Sequence, residues 1–224
     1  MSRVLIIGDL HLPFTHKNYL KFCKSVQKEY NCNKVVFAGD IVDNHGISYH
    51  ETDPNGMSPG QELEVARKMI KPWYKAFPKA MVARGNHDNL IKRKAQTHGL
   101  PIALFKDLSE IYATQNWQWL HGFDIDGVWY THTGGGSGKY AHIRAMETHR
   151  TSLVMGHIHS SFGIGFSASY KDLLFGMNVG CGIDIESYAF AYGKDFAARP
   201  ILGCGVVING NKPFCIPMQM KWFD

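Results

Sequence analysis

Thiolate chemistry is scarce in this chain. Its five cysteines, Cys23, Cys32, Cys181, Cys204 and Cys215, are odd in number, widely spaced and never form a CxxC. That pattern argues against a disulfide framework and against a thiolate zinc site. Long apolar runs are missing too, since none approaches the roughly 18 residues a membrane span needs. The first such run, Arg3-Val4-Leu5-Ile6-Ile7, is too short for a signal-peptide core, and no small-residue cleavage site follows it. A first strand in a cytoplasmic protein with no membrane partner is therefore expected. The charge is only mildly unbalanced, at +5. This accommodates a phosphate-bearing substrate but falls short of the domain pI above about 9 that marks nucleic-acid binding. Lys17, Lys21, Lys24 and Lys28 share one helical face, which reads as a solvated outer face. No repeat, low-complexity segment or linker appears, so one domain over residues 1–224 is expected. Nothing points to an obligate protein partner.

Histidine, in contrast, is plentiful. There are twelve, and several stand beside Asp or Gly at the ends of apolar runs. The run at 3–8 ends in Gly8-Asp9-Leu10-His11. Two apart in extended backbone, Asp9 and His11 face the same way and can grip one metal. Thr15 is placed to cap a helix over 16–29. Lys34–Ala38 reads as a buried parallel strand, which completes a βαβ unit and ends in Gly39-Asp40-Ile41-Val42-Asp43-Asn44. A polar loop over 44–60 contains His45, His50 and Asp53. Ser58, Pro59 and Gln61 form a capping-box start to the next helix, which Pro72 should end or kink. A third strand, 79–83, leads into Arg84-Gly85-Asn86-His87-Asp88.

From Trp117 the period becomes two, and Asp126-Gly127 marks a hairpin. The strand after it ends at Thr131-His132. The glycine-rich stretch 134–139 fails the spacing of a phosphate-binding P-loop. A helix near 138–149 precedes the strand Ser152–Met155, which ends in Gly156-His157-Ile158-His159. Further strands are expected around 162–168, 172–179, 203–208 and 213–222.

Five apolar runs thus end in oxygen or nitrogen ligands: Asp9 and His11; Asp40; Asn86; His132; His157 and His159. Five strand ends converging on one sheet edge would make a two-metal site. The ligand types suit manganese first, with iron, zinc, cobalt or nickel as alternatives.

These blocks, in this order, resemble the calcineurin-like metallophosphoesterase superfamily. Its pattern is D-x-H, G-D-x-x-D, G-N-H-[DE], a lone His and G-H-x-H. The resemblance implies an α/β fold, a four-layer α/β/β/α sandwich with two central mixed sheets. It implies that Asp9, His11 and His159 hold one divalent metal, that Asn86, His132 and His157 hold the other, and that Asp40 bridges them. Two dications roughly 3.5–4 Å apart repel, and a shared carboxylate with a bridging hydroxide offsets this. An amide at Asn86 in place of a third Asp leaves the site net positive, which suits a phosphate ester. His87 would protonate the leaving oxygen. Asp43 would accept a hydrogen bond from His87 and fix its tautomer, with a loop-capping role as the alternative.

Protein Ser/Thr phosphatases of this superfamily carry G-D-x-x-D-R-G and G-N-H-E. Here Asn44-His45 stand where Arg-Gly is expected, and Asp88 replaces Glu. The departure turns the expectation toward phosphodiesters, with His45 or Arg84 contacting phosphate instead. The lone-histidine block, Tyr130-Thr131-His132-Thr133, also lacks the Gly that many members carry before the His. A nucleotide or nucleic acid is a candidate substrate. For a nuclease, Phe166, Tyr170, Phe175, Tyr188, Phe190, Tyr192 and Phe196 would be the stacking candidates. A binding module that had lost catalysis would show replaced ligands, and none is replaced.

Overall fold

The computed structural model describes residues 1–49, 56–184, 186 and 198–219. In chain order the strands are β1 (Arg3–Ile7), β2 (Lys34–Phe37), β3 (Met81–Ala83), β4 (Gln118–Leu120), β5 (Gly122–Ile125), β6 (Val128–Thr131), β7 (Ser152–Met155), β8 (Phe162–Ala168), β9 (Leu173–Val179), β10 (Gly203–Ile208) and β11 (Lys212–Pro217). The helices are α1 (Tyr19–Glu29), α2 (Pro59–Ala76), α3 (Leu90–Thr97), α4 (Leu108–Ile111) and α5 (Ala141–His149).

Two mixed sheets result. The first runs β11-β10-β1-β2-β3-β4, and the second β5-β6-β7-β9-β8. In the first, β1 to β4 are parallel neighbours, and β10 and β11 are antiparallel. The Val-Leu-Ile-Ile run of β1 is apolar throughout because both of its faces are covered. Leu5 and Ile7 pack toward α1 and α2, against Tyr19, Cys23, Ile70 and Trp73. Val4 and Ile6 point the other way, against Tyr130, Val154 and Met177 of the second sheet. On that sheet's outer side, Leu153 and Met155 meet Ala141 and Ala145 of α5. The layers are therefore α/β/β/α.

Some local expectations shift. Thr15 does not cap α1; its hydroxyl donates to the Leu10 carbonyl, and the helix begins at Tyr19 with Asn18 in the cap position. The four lysines, Lys17 included, are exposed. The capping box at Ser58 forms as read, with both reciprocal hydrogen bonds. Pro72 does not end α2, which continues to Ala76. Pro72 is on the exposed side, while Trp73 and Phe77 are buried just beyond it. Burying two large aromatic side chains, about 1.5–3 kcal/mol each, offsets the roughly 3 kcal/mol lost to proline. Asp126 (φ 55°) and Gly127 (φ 76°) form the tight turn between β5 and β6. His50, Asp53 and residues 220–222 lie outside the described residues.

Candidate metal centre

The site is built at the C-terminal ends of β1, β2, β3, β6 and β7. Those ends belong to two sheets, not to the single edge expected: β1, β2 and β3 lie in the first and β6 and β7 in the second. The site is thus a seam between layers. Backbone bonds fix the first half of it. After β1 and β2 the chain segments run side by side, with His11 N and Leu10 N both donating to the Asp40 carbonyl at 2.9 and 3.1 Å. Asp43 N then donates to Leu12 O at 3.0 Å.

Three side-chain groups can each hold a cation: Asp9 with His11 and His159, Asp40 with His132 and His157, and His11 with Asp40 and His87. Within the first, the His159 Nε2 lies 3.0 Å from Asp9 Oδ2 and 3.2 Å from His11 Nε2. Within the second, His132 Nε2 lies 3.1 Å from Asp40 Oδ2. The Asn86 Oδ1 is 3.0 Å from that same nitrogen. Asp40 faces both groups, since its Oδ2 is also 3.7 Å from His11 Nε2.

The donor set fits divalent ions. Asp9, Asp40, Asp43 and Asp88 are all buried, and buried carboxylates are costly unless paired or metal-bound. Asp9 Oδ1 is buried with no hydrogen-bond partner among the described residues. The histidine ring orientations are also fixed. His132 Nδ1 donates to the Ala38 carbonyl at 2.8 Å, which leaves Nε2 to face the carboxylates. Burial disfavours charge on His132, but Asp40 and Asp9 outweigh it and raise its pKa to about 10. Burial would raise Asp40, yet His132 foremost, with His87 and His11, pulls it well below the usual carboxylate range. Burial lowers His11 and His157. The carboxylates therefore demand positive charge at this seam, and without metal the demand falls on imidazolium.

Close packing around the carboxylates comes from two glycines. A Cβ at Gly85 would stand 1.9 Å from Asp40 Oδ1, and one at Gly156 would stand 2.2 Å from Asp9 Oδ1. Gly85 is therefore more than the turn between strand and loop: it makes room for the carboxylate. Three ligand candidates sit in left-handed backbone: His11 (φ 48°), Asp40 (φ 45°) and His157 (φ 69°). For non-glycine residues this costs of order 1–3 kcal/mol each and clusters at functional sites.

Asp43 differs from expectation. Its carboxylate does not chiefly serve His87: Oδ1 is 2.5 Å from His11 Nδ1 and 3.5 Å from His87 Nδ1. His87 Nδ1 instead donates to the Asp43 main-chain carbonyl at 2.6 Å. One residue thus orients two imidazoles, one through its side chain and one through its backbone. Asp43→Asn is expected to loosen His11 and weaken metal affinity about 10–100-fold, read by titrating the metal-free protein calorimetrically.

The two residues expected to contact phosphate separate. His45 stays near the seam, its Nδ1 3.8 Å from Asp43 Oδ2. Arg84 leaves it. Side chains alternate along β3, and Arg84 shares the parity of Val82, which packs on the helix side of the sheet. It lines a cavity of about 170 Å³ with Lys92, Asp107, Trp117 and Trp119, and no metal-ligand candidate lines that cavity.

Three supporting residues escaped the sequence reading. Asp88 accepts from Ile41 N (2.9 Å) and Gly85 N (2.9 Å), tying the β2 and β3 loops together. Burial, with Asp40 nearby, raises its pKa to about 7. Glu62 receives His45 N and Gly46 N at 2.8 and 2.9 Å. Asn178 donates to the Gly156 carbonyl at 3.0 Å. An amide inside the apolar run of β9 was the available signal for Asn178. For Asp88 the signal was its place at the end of the Gly85-Asn86-His87-Asp88 block.

Fold and donors together define an α/β sandwich protein whose His and Asp clusters, at the sheet ends, could hold metal ions. The chain belongs to the calcineurin-like phosphoesterase family, whose model matches residues 2–191. Solved structures of similar fold include a Vps29 single mutant from Entamoeba histolytica (12% identity, TM-score 0.43, covering 95% of this chain and 89% of that one). Yfce, a phosphoesterase from E. coli, is similar at 13% identity and TM-score 0.44, over 93% and 89%. The Pseudomonas putida nuclease MPE matches at 14% and 0.35, over 96% and 87%. A search of curated proteins found no match. No helix among the described residues is long and apolar enough to cross a membrane.

Proposed function

We propose that this chain hydrolyses phosphate esters, phosphodiesters in particular, at a two-metal site. The observation that carries the reading is the pair of donor groups, Asp9-His11-His159 and Asp40-His132-His157, that meet around Asp40. Asp9, His11 and His159 would hold one ion; Asn86, His132 and His157 would hold the other; Asp40 would serve both. When bound, such ions lower the pKa of water and neutralise phosphoryl oxygens.

The remaining work falls to the chain. His87 keeps Nδ1 on the Asp43 carbonyl, so Nε2 is its free face. Burial disfavours its charge, but Asp40 and Asp43 prevail and raise its pKa. A protonated His87 can pass its Nε2 proton to the leaving oxygen. Asn44 donates to the His87 carbonyl at 3.0 Å and fixes the loop that carries it. No arginine occupies the position after Asp43, which favours a diester monoanion over a dianionic phosphoprotein.

The test is hydrolysis of bis-p-nitrophenyl phosphate by manganese-loaded protein, abolished by chelator. Protein that binds two ions per chain yet cleaves no phosphate ester would defeat the reading. His87→Ala is expected to lower kcat about 100–1,000-fold while two ions remain bound by elemental analysis. If an ion leaves with the side chain, His87 is a ligand in the His11–Asp40 group instead.

A nuclease reading has one specific observation behind it. Tyr49 is 51% exposed, and Lys94 Nζ and Arg93 Cζ stand 4.0 and 5.0 Å from its ring centroid. The other aromatic candidates help less: Phe175 is buried, Phe166 and Tyr170 are exposed on and just beyond β8, and Tyr188, Phe190, Tyr192 and Phe196 lie outside the described residues. Single-stranded DNA beside monoester, diester and cyclic-nucleotide substrates separates the two readings.

A further inference from the structure

The metal centre makes no use of Arg84, yet the side chain is not idle on the surface. Its Nε is buried and has no hydrogen-bond partner among the described residues. A charged N–H cut off from water is costly unless an acceptor replaces the water, so a buried donor of this kind calls for one. The cavity of about 170 Å³ that Arg84 lines is where an acceptor can stand.

The lining is organised around positive charge. Lys92, half-buried on α3, lines it together with Arg84, and Ser109 adds a hydroxyl. Trp117 and Trp119 contribute apolar wall, because their indole N–H groups are already engaged by the Phe77 carbonyl at 2.7 Å and the Thr114 hydroxyl at 3.1 Å. Cations beside low-dielectric walls concentrate the field and draw anions. Asp107 also lines the cavity and is exposed. No ion pair joins it to Arg84 or Lys92 among the described residues. Two cations therefore stand against one carboxylate, and the balance is positive.

The shape of the ligand follows from size and donor geometry. The volume is below the roughly 300–1,000 Å³ of small-molecule sites, so a small ion suits it better than a nucleotide. A guanidinium presents its N–H groups as a planar fork that matches paired oxygens. We infer that this cavity binds a free tetrahedral oxyanion, of the inorganic phosphate or sulfate class, between Arg84 and Lys92. The assignment does not rest on the hydrolytic reading. Arg84 directly precedes Gly85, and Lys92 follows Asp88 by four residues. A bound ion would thus join the two ends of the segment that carries Asn86 and His87.

The test is sulfate, titrated calorimetrically into the manganese-loaded full chain at constant ionic strength. The wild type is expected to bind it. Arg84→Met and Lys92→Met should each weaken binding about tenfold or more, as loss of a charge-assisted contact does. Asp107→Asn removes the opposing charge and should tighten it. Metal ions can attract sulfate too, so Asp40→Asn is the control: with the metal centre disabled, binding should persist. The assignment is overturned if the wild type takes up no sulfate, or if Asp40→Asn abolishes the binding. It is equally overturned if folded Arg84→Met and Lys92→Met proteins bind sulfate as tightly as the wild type.

Discussion

Asp40→Asn should release both metal ions and reduce phosphate-ester hydrolysis about a thousandfold or more. The substitution keeps shape and removes charge. The Asp40 carboxylate takes His87 N at 2.8 Å on Oδ1, while Oδ2 lies 3.1 Å from His132 Nε2 and 3.7 Å from His11 Nε2. An amide in its place cannot neutralise two dications, and the loss is several kcal/mol of charge stabilisation, or roughly three powers of ten in rate. Elemental analysis of the purified variant and steady-state assays with manganese check the two halves separately. Retention of both ions at full turnover would remove Asp40 from the centre of the site.

Gly85→Ala is the second large effect, and it acts on the same carboxylate without touching it chemically. The new methyl would lie 1.9 Å from Asp40 Oδ1 and 2.5 Å from Asp40 N. Neither can yield easily: the backbone there is left-handed and pinned by His11 N and Leu10 N. Overpacking of this kind costs roughly 1–3 kcal/mol, and each kcal/mol lowers the Tm of a chain this size by about 2–4 °C. Activity should fall about a hundredfold or more, because the displaced carboxylate is the one both ions would share. A variant with unchanged Tm and metal content would show that the loop relaxes where the packing says it cannot.

Much of this arrangement can be read from strings of residues, for a simple reason. A parallel strand covered on both faces is a continuous apolar run, so its end is conspicuous, and Asp9, Asp40, Asn86, His132 and His157 each follow one closely. The hairpin at Asp126-Gly127 and the box at Ser58 are equally local, set by turn and cap chemistry. The illegible parts depend on distant partners. Helix α2 passes Pro72 because Trp73 and Phe77 find a core, which no window around the proline reveals. Arg84 leaves the site through strand parity, although it adjoins the loop in sequence. Asp43 could orient either of two histidines, and only packing selects His11 for its carboxylate. The left-handed conformations at His11, Asp40 and His157 fall on residue types enriched there, but Asp and His sit in ordinary backbone far more often, so type alone does not mark them.

The seam between the sheets has a mechanical side. Each sheet is laced by its own strand pairing, and the layer between them is mainly apolar contact. Hydrogen bonds such as His132 Nδ1 to the Ala38 carbonyl and Gly182 N to the Asp9 carbonyl cross it at the site end. The proposed metals would draw ligands from both sheets: Asp9 and His11 with His159 for one, Asp40 and Asn86 with His132 and His157 for the other. Bound ions would then rivet the two halves of the sandwich. A chelator should accordingly act as a mild denaturant as well as an inhibitor. Amides of β6 and β7 should exchange hydrogen faster once the ions are gone. If exchange there is the same with and without metal, the rivet carries no load.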